Sequence, residues 1–113
     1  MVIGPESPAR EGDPDSLERD LRRLETDLRQ LEIEYTMFFG GQRPRPPLET
    51  RARVEAILRR LDRVPIQRTT GRFRYNTLQL RFRTFANLWD RGLRAREEGR
   101  PGPFSWERLS GGE

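Results

Sequence analysis

Arginine is the residue type in this chain best placed to do chemistry. All 22 basic residues are arginine, set against 18 acids, for a formal net charge of +4. A planar guanidinium offers a fork of donors that matches carboxylate or phosphate. Arg72, Arg83 and Arg94 recur every eleven residues, three turns of a helix, and so form one stripe. Arg91, Arg96 and Arg100 thicken its C-terminal end. Beside the stripe runs an apolar row, Phe73, Leu80 and Leu88, roughly opposite the seam that must form the core. The row is either a site for a partner or a contact between copies of the chain. Phe104 and Trp106, two aromatics in a short C-terminal tail, either anchor that tail in a partner's groove or fold back onto their own domain.

Other chemistry finds no support. Histidine and cysteine are both absent, which removes imidazole and thiolate ligands for zinc or haem, the commonest general base and any disulfide. Lysine is absent too, so no P-loop is formed. Glu32 with Glu34, or Glu97 with Glu98, lack the shielded pocket that would split two carboxyl pKa values. Gly71-Arg72-Phe73-Arg74-Tyr75 lacks the glycine that an RNA-binding strand motif places between its aromatics. The expectation is a non-enzymatic protein with no cofactor or metal.

The elements that must position these residues are helices. Residues 1–12, rich in proline, glycine and charge, read as a disordered arm. Asp13-Pro14 is a helix start, with Asp as N-cap and Pro in the first turn. One helix is expected over 14–39, ended by Gly40-Gly41; a second over 49–63, ended by Val64-Pro65; and a third over 72–98, ended by Gly99-Arg100-Pro101. Residues 101–113 are expected to be a flexible tail, which leaves 13–100 as one helical domain. Strict alternation over Leu78–Arg83 offers a rival, a β-hairpin within residues 66–83. The alternation fails at Thr84-Phe85, whereas helical spacing continues through Tyr75, Leu78, Phe82, Phe85 and Trp89.

The first helix carries a heptad seam at Leu17, Leu21, Leu24, Leu28, Leu31, Tyr35 and Phe38. With Leu21 as position a, the e positions are Glu18, Glu25 and Glu32, and the g positions are Asp20, Asp27 and Glu34. Such edges repel an identical parallel helix and favour one edged with arginine. The third helix, read from Tyr75, has Arg74 and Arg81 at g; the second, read from Val54, has Arg53 and Arg60 at g. Residues 13–40 carry net −4, residues 41–65 net +4 and residues 66–100 net +6.

The fold class that follows is all-α: an antiparallel helical hairpin or three-helix bundle, long–short–long. The matched lengths of the first and third helices suggest that they pack antiparallel, with the short helix covering part of the third helix's other face. The function expected is protein–protein interaction, through Phe73, Leu80 and Leu88 and the arginines Arg72, Arg83 and Arg94. The alternative is a nucleic-acid-binding accessory protein that contacts phosphate through the arginine stripe. Nothing resembles a secretory signal, and no apolar run approaches the ~20 residues of a membrane span, so the expected compartment is the cytoplasm.

Overall fold

The structure, a computed structural model, describes residues 14–66 and 69–104. It contains three helices: α1 (Pro14–Phe39), α2 (Leu48–Asp62) and α3 (Thr69–Glu97). The hairpin rival is not formed, since Leu78–Arg83 lies inside α3. α1 and α2 bound as expected to within a residue. α3 starts three residues before Arg72, which tucks Gly71 against Leu17 and Ile66; a Cβ there would lie 3.6 and 3.2 Å from their side chains. Asp13, the expected cap, falls outside the described residues. Both long helices end in the same way. Gly41 and Gly99 take positive φ (86° and 67°), and the following amides, of Gln42 and Arg100, donate to the carbonyls of Met37 and Ala95. This is the closure for which glycine is preferred.

The α1 seam is the core. Leu21, Leu24, Leu28, Leu31, Tyr35 and Phe38 are all buried, together with Val54, Ile57 and Leu61 of α2 and Tyr75, Leu78 and Trp89 of α3. Burying one such side chain contributes roughly 1.5–3 kcal/mol. Trp89 stacks on Tyr35 with ring centroids 4.2 Å apart, and Phe85 stacks on Trp89.

The relative direction of the long helices corrects the expectation. Arg74 bonds Glu18, Arg81 bonds Glu32, and Arg96 reaches the carbonyl of Phe39. These pairs rise together in number, so α1 and α3 run parallel. α2 runs against α1, with Arg60 on Asp20 and Arg53 by Asp27. It also runs against α3, with Asp62 on Tyr75 and Arg51 on Asp90. The short helix returns the chain to the start of α1, so α3 must set off in the direction α1 took. Equal length suits either sense; the connection decides it.

Candidate interaction surface

The charged edges of α1 are consumed inside the fold. Its e-position acids face α3: Glu18 and Glu25 lie 2.9 and 3.7 Å from Arg74, and Glu32 lies 2.6 Å from Arg81. Its g-position acids face α2 and the connector: Asp20 to Arg60 at 2.9 Å, Asp27 to Arg53 at 3.8 Å, and Glu34 to Arg43 at 3.4 Å. Hydrogen bonds from Arg74 and Arg22 hold the Glu18 carboxyl below its usual range. Burial would raise Glu34, but hydrogen bonds from Gln30 and Thr50 and the charges of Arg43 and Arg53 outweigh it, so Glu34 too sits low. The hydrogen-bonded Glu32 carboxylate raises Arg81 in turn.

One central residue escaped sequence reasoning. Arg51 of α2 donates to the Tyr35 hydroxyl of α1 at 2.9 Å and forks onto both Asp90 oxygens of α3 at 2.8 and 3.1 Å. It also reaches Glu55, and its guanidinium lies 5.9 Å from the Tyr35 and Phe82 ring centroids. Burial opposes its charge, yet Asp90 and Tyr35 raise its pKa. The available signal was Asp90, the sole carboxylate of α3 before Glu97, which α1 has no seam-edge arginine to meet.

Pairing within the bundle leaves the outer face of α3 apolar and basic. Phe73 is 70% exposed and Leu80 65%, while Leu88 is half-buried. α2 does not cover this row: it sits between α1 and the Asp90 side of α3, as the Arg51 contacts fix. Arg83 and Arg94 are exposed and without an ion-pair partner among the described residues. Arg72 differs, because it donates to the Ile66 carbonyl at 3.1 Å and so braces the α2–α3 connection. The row and stripe therefore stand together, with Leu88 and Arg72 partly committed to the fold.

The C-terminal aromatics separate. Phe104 folds back and stacks on Phe39, centroids 4.0 Å apart, over Gly92. A Cβ at Gly92 would come within 2.8 Å of both rings, so only glycine admits this stack. Trp106 lies outside the described residues. Arg96 completes this end, with its guanidinium 4.6 Å from the Phe38 ring centroid and donating to the Phe39 carbonyl. None of the described helices is long and apolar enough to cross a membrane. No protein family, curated protein or solved structure matches this chain.

Proposed function

We propose that the protein is a non-enzymatic interaction module that docks a partner protein on the outer face of α3. The observation that carries this reading is the joint exposure of Phe73 and Leu80, two turns apart, beside Arg83, which has no ion-pair partner among the described residues, with Arg94 three turns further along the same stripe. An apolar row edged by cations complements an amphipathic segment with acidic flanks. α1 has such acidic edges, but its own bundle occupies them, so no described helix is free to supply the complement. A cytoplasmic location belongs to the same reading, supported by a sequence with no cysteine that would call for an oxidising compartment.

The test is affinity capture with and without nuclease, followed by substitution. Phe73→Ala and Leu80→Ala should each weaken partner binding by about 1–3 kcal/mol, as truncated interface anchors do. Circular dichroism should be unchanged, since neither side chain supports the core. Unaltered capture by both variants rejects the reading.

Nucleic-acid binding is the second reading, and it is supported by Arg83 and Arg94 themselves, which are exposed and have no ion-pair partner among the described residues. Phosphate contacts by both would give a log–log salt slope of about −2, which Arg83→Gln with Arg94→Gln would remove. Against it, Tyr35, Phe85 and Trp89, which could stack on bases, are engaged in the core.

A further inference from the structure

A second basic feature lies at the C-terminal end of α3, away from Phe73 and Leu80. Arg91 and Arg94 of α3 and the turn Arg100–Pro103 line an open cleft of about 460 Å³. Three properties make it a built site. The turn is packed onto α3: Pro101 and Pro103 fix their φ angles, Gly102 lies so close to Ala95 that a Cβ would meet it at 2.6 Å, and Phe104 stacks on Phe39. The guanidiniums of Arg91 and Arg94 are exposed with no acidic partner among the described residues. Only Arg100 is partly neutralised, by Glu98. Three arginines thus line one cleft, and one of them is paired with a carboxylate.

We propose that this cleft binds a phosphomonoester dianion carried by the partner protein. Charge favours the ligand, since two arginines without an ion-pair partner among the described residues match the near −2 of a phosphomonoester at neutral pH better than the −1 of a carboxylate or phosphodiester. Geometry agrees, since the planar fork of arginine pairs bidentately with phosphoryl oxygens. The cleft shares Arg94 with the outer face of α3, so a partner lying along Phe73 and Leu80 can place a phosphorylated residue there. The proposal thus rests on the protein-docking reading for what carries the phosphate, but the anion site is testable alone.

The experiment is a titration of the full ¹⁵N-labelled chain with inorganic phosphate, phenyl phosphate, dimethyl phosphate and acetate, followed through arginine Nε–H and backbone resonances. Saturable shifts should appear at Arg91, Arg94, Arg100 and Gly102 with phosphate and phenyl phosphate. Binding of phenyl phosphate should strengthen from pH 5.5 to 7.5 as the second proton of the monoester, with a pKa of about 6, is lost. Dimethyl phosphate and acetate should bind about tenfold more weakly, having half the charge. Arg91→Gln with Arg94→Gln should abolish the shifts, whereas Phe73→Ala with Leu80→Ala should leave them intact, even if partner capture fails. Three results would each overturn the proposal: shifts spread equally over distant exposed arginines such as Arg23 and Arg59, no saturation, or diester binding equal to monoester binding. The last would assign the cleft to a nucleic-acid backbone.

Discussion

At the scale of single residues, Arg51 is the point where all three helices are fastened. Its side chain is 16% exposed and that of Asp90 is 49% exposed, so solvent screens part of the pair and a fully buried value does not apply. Arg51→Gln removes the fork onto Asp90 and leaves the Tyr35 hydroxyl and Asp90 to find water. The expected cost is about 1.5–3 kcal/mol, in the range of a charged hydrogen bond, read by urea unfolding. Asp90→Asn should cost less, because Arg51 keeps Tyr35 and Glu55. Equal losses would show that the Tyr35 and Glu55 contacts contribute nothing. Gly92 is a second special position. Gly92→Ala drives a methyl into two aromatic rings, and Phe104 is the one able to move away. The expected result is loss of the Phe104–Phe39 contact, seen as changed ring-proton shifts, with the helices retained.

At the scale of elements, heptad charge encodes direction. Acids at e of α1 meet arginines at g of α3, while acids at g of α1 meet arginines at g of α2. Edge charges set both partner and orientation, and these two edge patterns give α3 parallel to and α2 antiparallel to α1. Cross-linking tests the direction in a chain that has no cysteine of its own. Leu17→Cys with Gly71→Cys should cross-link readily through a short bis-maleimide, since a Cβ at position 71 lies 3.6 Å from Cδ2 of Leu17. Leu17→Cys with Ala95→Cys should not cross-link within the monomer; efficient closure of that pair would refute the parallel arrangement. The edges themselves are open to a charge-reversal cycle. Glu32→Arg should destabilise the fold, and adding Arg81→Glu should recover part of the loss, a coupling of a few tenths to about 1 kcal/mol for this partly exposed pair. Strict additivity would mean that the contact contributes nothing.

At the scale of the whole molecule, the absence of histidine shapes the response to pH. Glu18 and Glu34 have folded pKa values below 4.5. The stability they contribute is complete above that value and is lost as pH falls through the lowered pKa. Tyr75 moves the other way: burial and Asp62 raise it above 10, so its contribution is complete below 10 and is lost as pH rises through the raised value. With no histidine between these limits, the unfolding midpoint should stay flat from about pH 5 to 9. It should fall on the acid side, and Glu18→Gln should shrink that fall. A midpoint that slopes steadily through neutrality would contradict the assignment.

The sequence by itself determined the three helices, the α1 seam and the six acids that would seek arginine, because each is local: heptad spacing, glycine and proline stops, and edge charge are read within one segment. Exposure of Phe73 and Leu80 was legible for the same reason, since both stand opposite the seam on their own helix. The tertiary structure brought out the rest. The direction of α3 depends on where a short α2 delivers the chain, which lengths do not reveal, although the e and g charges contained it. Arg51 looked like one more surface cation until α2 and α3 came together around Asp90. Arg72 left the free stripe because the carbonyl of Ile66 comes within its reach. Phe104 found its place only where a glycine on α3 and a phenylalanine on α1, far apart in the chain, open a slot wide enough for a ring.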